Sequence, residues 1–539
     1  MLWGTSLVRA RCRGSQKGSQ KVPAEVRLLL RRRSEGTRGY QQRCTGPDAG
    51  EGEDRVVSES SYEFLSAQDS SFLAFENRNT HMHVGAIAVF EGAPVTGPSG
   101  GLDIECLRGH VGARLRALPR YRQRLEFTPL QGRPIWVDDP HFSLRYHVRH
   151  AALPRPGDER ELKELAGLIL SQQLDRHKPL WELWFVEGLE GGRTAMIAKV
   201  HHCMVDGVGG VGLLTALLSP APSSDPDPGV PWLPRPANRF ELLVDEMSRN
   251  AAAPFRALRS LGEAVARPRE TSAEVARTAV AVWETIRAGF RVVANTPLNR
   301  PIGPHRSVEW HAIDLGDVRA LKKDLDGTVN DVVLTVVAGA VRRFLLLRRW
   351  DPKGFDYRAV VPVNMRTGPE DEGVANRVSA WFVSLPVAER DPLRRFSRVR
   401  EATEKLRRSQ VAQGTDLLIR FADWTGSRTL VDVGTRFTSR LHPYHLIVTN
   451  VPGPQIPLYL LEARLQSLYP QLPLFEHQGF AVAVMSYLGK VGFGLIGDPD
   501  LIPDLAAFGP AIQESFEELR EAAEKTRTLR SAGGRHRRR

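Results

Sequence analysis

The chain has little cysteine. Cys12, Cys44, Cys106 and Cys203 are the four in 539 residues, and no two share the close spacing of a zinc ribbon or a disulfide framework. A small stapled fold is excluded, and a reducing compartment suits such a chain. Long apolar runs are also missing. No 18-residue apolar stretch is free of charge, so no transmembrane helix is expected. The most apolar helical pattern, residues 331–347, is broken by Arg342 and Arg343. The body lacks an excess of either charge. Of the net charge of +12, residues 1–57 supply twelve Arg and Lys against six acids, and residues 526–539 supply six Arg and no acid. What lies between is neutral by count. It offers no basic groove, so no nucleic-acid partner is expected.

What is present reads as a soluble globular chain, with 42% hydrophobic and 25% charged residues. Its length admits two large domains. Residues 1–57 show no sustained period and are read as a disordered basic N-terminal extension. Their Arg-rich start superficially matches a transit peptide, but no secretory h-region is there. Residues 58–218 form a first half. A strand is expected at 83–90, a helix after Asp103 bearing Leu107, Val111, Leu115 and Leu118, and a strand at 133–137. A helix after Asp158 follows, then strands at 179–186 and 193–200. Residues 219–300 open with seven prolines in 219–237 and continue as a helical crossover. Residues 301–525 form a second half. Here Asp317 is expected to cap one helix and Asn330-Asp331 to start a stronger one. Strands follow at 357–363, 378–387 and 446–450, then a hairpin around Leu488-Gly489 and a last helix at 503–525. Residues 526–539 are a basic C-terminal tail, read as solvated. The fold class is α/β: two halves of mixed sheets with helices, joined by a long crossover, with a cleft between them.

The organising stretch is Lys199-Val200-His201-His202-Cys203-Met204-Val205-Asp206-Gly207. It ends a buried strand and leads into a glycine-rich turn. Side chains alternate along a strand, so His202 would share a face with Met196, Ala198 and Val200, and His201 with Ile197 and Lys199. An imidazole with a pKa of about 6.5 takes and returns a proton near neutrality. Asp206 can hold the turn, and Gly207 admits backbone angles closed to other residues. Two other readings compete: a hydrogen-bonded core histidine, and a metal site using His201, His202 and Asp206. Adjacent histidines on opposite strand faces fit one ion poorly. Cys203 falls on the face opposite the base and is not assigned as a nucleophile.

Several stretches together resemble the bacterial wax ester synthase/diacylglycerol acyltransferase family. The chief one is two histidines, three variable residues and Asp-Gly, here His201 to Gly207. Condensation domains of peptide synthetases carry the same pattern. Pro179-Leu180-Trp181-Glu182, Asn330-Asp331 and Asn450-Val451-Pro452-Gly453-Pro454 separate the two, with further likeness at 65–89, 119–125 and 486–498. One departure is His81, where the family has proline. The resemblance covers about residues 60–525. It implies a chloramphenicol-acetyltransferase-like fold and an acyl-CoA-dependent O-acyltransferase making triacylglycerol, wax ester or both. It implies His202 as general base, Asp206 in a structural role, and no cofactor beyond acyl-CoA as a substrate. Asn330 is assigned as oxyanion donor or helix cap. Diacylglycerol or a fatty alcohol would be the acceptor. A cytoplasmic protein in peripheral contact with membrane or lipid inclusions is expected. A carrier-dependent condensation-type acyltransferase and a non-catalytic lipid-binding protein are the rivals.

Overall fold

The computed structural model describes residues 62–98, 100–204, 212–223, 234–235, 238, 240–248, 296–353, 356–364, 378–408 and 444–536. The N-terminal extension, most of the crossover, Asp206 and Gly207 lie outside the described residues.

The first strands are β1 (Tyr62–Phe64), β2 (His83–Glu91), β3 (Gln123–Phe127), β4 (Pro134–Asp138), β5 (Val148–Ala152), β6 (Trp181–Leu189) and β7 (Arg193–His201). Those after the crossover are β8 (Ser307–Asp314), β9 (Tyr357–Asn364), β10 (Val378–Leu385), β11 (Leu446–Pro452), β12 (Tyr459–Leu460), β13 (Ala463–Gln471), β14 (Phe480–Tyr487) and β15 (Lys490–Gly497). The longer helices are α1 (Ala67–Phe75), α2 (Ile104–Arg114), α3 (Glu159–Ser171), α4 (Leu315–Asp324), α5 (Val329–Leu347), α6 (Pro392–Arg408) and α7 (Phe508–His536). They build two six-stranded mixed sheets, ordered β12-β13-β2-β7-β6-β5 and β10-β9-β11-β14-β15-β8, and a small sheet β1-β4-β3. No described helix is long and apolar enough to cross a membrane.

Strand β7 shows why the histidines sit where they do. It lies between β2 and β6, antiparallel to both, and is covered on both faces. Ala195 and Ile197 pack against Leu162, Ala166 and Ile169 of α3. Met196, Ala198 and Val200 turn to the opposite core with Trp136 and Trp181. Lys199 is fully buried on the α3 side. Its Nζ donates to the carbonyls of Ile169 (2.9 Å) and Gln172 (3.0 Å) and lies 3.5 Å from Glu182 Oε2. It therefore closes the C-terminal end of α3, where a cation is favoured.

Two helix starts differ from the expected ones. Asp314, not Asp317, caps α4, accepting from Gly316 N–H at 2.7 Å. Helix α5 begins at Val329, because Thr328 and Asp331 form a reciprocal capping box. Asn330 is thus the second residue of the helix rather than its cap. Strands β8 and β13 were not anticipated. Pro470 argues against a strand by its missing N–H, yet it pairs opposite Ala86 on β2, past the part of β13 that β12 covers.

Strand β13 joins the two sheets. It follows β11 in sequence but pairs with β2. Its backbone also presses on β15, where glycines make room. A Cβ on Gly494 would lie 1.8 Å from Pro470 O, and one on Gly492 2.9 Å from Leu468 O. Replacing Gly494 by Ala must push the sheets apart, at a cost of about 1–3 kcal/mol. We expect thermal unfolding of Gly494→Ala to begin several degrees below that of the parent. Gly109→Ala, where an added Cβ in α2 meets nothing within 4 Å, should not lower it. Equal melting of the two variants would contradict this joint.

Candidate active site

The strand period stops at His201. The next three residues, His202 to Met204, form a 3-10 turn. The expected alternation therefore does not reach His202, which leaves the strand and its face with Met196, Ala198 and Val200. Two elements pin the turn. His202 N–H donates to Met82 O at 2.7 Å, just before β2. Cys203 N–H donates to Nδ1 of the buried His201 at 3.1 Å.

This also corrects the placement of Cys203. Its Sγ lies 3.0 Å from His201 Nδ1, beside the first histidine rather than across the strand from the second. Burial pushes the Cys203 thiol up, well above its ordinary value. It stays protonated at neutral pH and is a poor nucleophile.

Helix α1 lies over the turn. Ser66 caps it, its hydroxyl accepting from Asp69 N–H. Phe72 stacks on the His202 ring, with centroids 3.8 Å apart and planes 20° from parallel. One face of the imidazole is thus closed by an apolar ring. His202 Nδ1 is buried with no hydrogen-bond partner among the described residues. Burial lowers the His202 pKa to about 4, and His201 adds to the shift. The ring is neutral at physiological pH, as a proton acceptor must be.

Beside it lies a buried polar group that sequence reading missed. Glu76, next after α1, has a side chain 5% exposed. Its Oε1 is 3.5 Å from Nε2 of both His83 and His201. Arg176 holds the other oxygen, with Nε donating to Oε2 at 2.9 Å. Burial works against the Glu76 carboxylate, but His201 and His83, and then Arg176, outweigh it and hold its pKa well below the usual range. His83 faces His201 across the β2–β7 ladder, and burial lowers its pKa to about 3. His81, the departure from the family pattern, is buried with its ring 5.7 Å from that of His83 and its Nε2 at 2.9 Å from Arg78 O. Among the described residues no group of three or more His, Cys, Asp or Glu is placed to hold a metal.

Trp181 is core: its Nε1 donates to Tyr121 O at 2.7 Å and its ring stacks on His147 at 4.6 Å. Asn330 is half-buried in the first turn of α5 and makes no side-chain hydrogen bond among the described residues. No described contact brings it to the His202 ring.

Residues 65–333 match the wax ester synthase/diacylglycerol acyltransferase catalytic domain, and residues 374–520 match the C-terminal domain of the same family. The chain belongs to this family of acyltransferases. The probable diacylglycerol O-acyltransferase tgs1 of Mycobacterium tuberculosis is 31% identical over 474 residues, covering 87% of this chain and 98% of its own. Another protein of that organism, named as a candidate diacylglycerol O-acyltransferase, is 33% identical over 86% of this chain and 91% of its own. The wax ester synthase/diacylglycerol acyltransferase of Marinobacter aquaeolei superposes with a TM-score of 0.60 at 26% identity, over 86% of this chain and all of that one. The starter condensation domain of rhizomide synthetase shares the fold at 12% identity and a TM-score of 0.52, over 88% and 97% of the two chains. The architecture is the two-halved chloramphenicol-acetyltransferase-like fold.

The burial of His202 gives a pH prediction for such an acyltransferase. For a reaction that uses the neutral ring as base, activity is lost as pH falls through the folded-state pKa. A lowered pKa moves that loss to lower pH. The profile of kcat/KM should stay flat from neutrality down to about pH 5.5 and fall with a midpoint near 4. A midpoint near 6.5 would mean that the ring is as solvated as free imidazole.

Proposed function

We propose that this acyltransferase moves a fatty acyl group from acyl-CoA to the hydroxyl of diacylglycerol, of a long-chain alcohol, or of both, with His202 as general base. The observation that carries the reading is the neutral His202 imidazole, stacked on Phe72 in the turn that ends β7, in a chain of this family.

The chemistry balances without an acyl-enzyme. His202 takes the proton of the acceptor hydroxyl as its oxygen bonds to the thioester carbonyl carbon. The tetrahedral adduct then collapses and the C–S bond breaks. The imidazolium returns the proton to the departing thiolate, giving ester and CoA. With a His202 pKa of about 4 and a thiol pKa of about 8.5, the second transfer is downhill. The low proton affinity means that the first transfer advances only as the new C–O bond forms. Asn330 remains the proposed oxyanion donor, through its amide or the α5 N-terminus, and Asp206 the residue that holds the turn.

CoA release from palmitoyl-CoA tests the reading, with dioleoylglycerol or hexadecanol as acceptor. Acceptor-dependent release should fall at least about 1,000-fold in His202→Ala. Release from an acyl-carrier donor alone would favour the condensation-type rival. Lipid binding without turnover by the parent would favour a non-catalytic role.

Both acceptors partition into lipid, so the protein must reach a lipid surface, and one apolar face supports how. The helix over residues 240–248 turns Leu242 and Glu246 inward and leaves Glu241, Phe240, Val244 and Met247 exposed. Leu242 packs with Ile135 and Val137 of the small sheet. Glu246 accepts from Leu130 and Gln131 N–H at 2.8 and 2.7 Å, and Asp245 from the Tyr62 hydroxyl. Phe240, Val244 and Met247 lie 48–70% exposed at helical spacing, with Phe127 lining the same groove as Phe240. We assign this face to the lipid surface. Replacing all three helix residues by Ser should lower co-sedimentation with diacylglycerol-containing phosphatidylcholine vesicles by about 10-fold or more. Unchanged binding would contradict the assignment.

A further inference from the structure

We propose that Glu76 is a positioning residue for the reaction: it selects the tautomer of His201 and so fixes the turn that presents His202. The inference rests on the base assignment above for its kinetic consequence, but its structural half stands without it.

The chain of contacts is short. Cys203 N–H points at His201 Nδ1 at 3.1 Å, and Cys203 Sγ approaches the same nitrogen at 3.0 Å. The thiol can take either role, but the backbone N–H can only donate, so Nδ1 must keep its lone pair. The ring proton of His201 then sits on Nε2. That nitrogen is buried and has no other hydrogen-bond partner among the described residues; what it faces, at 3.5 Å, is Glu76 Oε1. A carboxylate there accepts only, and therefore favours Nε2–H. His83 Nε2 lies at the same 3.5 Å from Oε1, and one carboxylate oxygen has lone pairs for both rings. Arg176 keeps the Glu76 side chain charged and aimed.

The consequence falls on His202. Its own N–H is tied to Met82 O, and the next N–H is tied to His201 Nδ1. If His201 took the other tautomer, Nδ1–H would confront Cys203 N–H, donor against donor. The turn would have to move, and with it the imidazole stacked on Phe72. Glu76 and Phe72 stand four residues apart at one end of α1, so a single helix governs both histidines, one by charge and one by cover.

Substituting Gln keeps the size of Glu76 but offers an amide N–H to His201 Nε2, which favours the wrong tautomer. Glu76→Gln should lower kcat by about 10- to 100-fold with the acyl-CoA KM little changed, less than the loss seen when a base's own tautomer is reversed. In His201→Asn the side-chain oxygen replaces Nδ1 as acceptor for Cys203 N–H and no tautomer remains to select. Added to that background, Glu76→Gln should cost no further rate. An undiminished loss there would mean that Glu76 acts otherwise, and the proposal would fall.

The test that needs no activity is the ring-15N spectrum of histidine-labelled protein, with His201 assigned by its loss in His201→Asn. The parent should show a protonated Nε2 and a bare Nδ1 at His201. A protonated Nδ1 in the parent overturns the proposal, even if Glu76→Gln does not fold. The expected spectrum without acyl transfer would instead overturn the assigned reaction and leave the tautomer selection standing.

Discussion

The site depends on one constraint: β7 must end, inside the protein, against a helix that arrives from far away in sequence. The β2–β7 ladder places His201 opposite His83, and α1 crosses the strand end. Buried imidazoles and a buried carboxylate are costly unless paired. Here the cost is met by mutual contact and by Arg176. The same closure that buries Glu76 also covers one face of the half-buried His202 ring. The proton affinity of the base is thus a product of packing, with Phe72 contributing roughly 0.5–1.5 kcal/mol of ring contact beyond its buried area.

The rest of the fold serves that closure. Strand β7 is held centrally by two antiparallel neighbours, and Lys199 locks it to the end of α3. Strand β13 enters the first sheet from the second half of the chain and lies flat on β15 through two glycines. A histidine at the end of a strand so anchored has little freedom, which is what proton transfer at a fixed distance requires.

Much of this was legible in the sequence, and for identifiable reasons. The strand before His201 is apolar on both faces, as a central strand must be, and Asp158 with Glu161 spells a helix start. The hairpin at Leu488-Gly489 was marked by its turn residues, both with positive φ. What was missed depends on distant partners. Glu76 looks like a solvent-facing residue after a short helix, because only β2, β7 and Arg176 bury it. Cys203 was placed by extending a strand period that the chain abandons at His202. Strand β13 carries Pro470, whose missing N–H reads against a strand, and its pairing partner β2 lies far away in sequence. Thr328 was overlooked as a cap in favour of the more conspicuous Asn330-Asp331.

The central claim is that His202 acts as a base rather than as a prop for the fold. Chemical rescue tests it most directly. In His202→Gly, added imidazole should restore acceptor-dependent CoA release, and the restored rate should track the neutral fraction of the imidazole as pH is varied. Acceptor-dependent release at the parent rate in His202→Gly, with no imidazole added, would contradict the account.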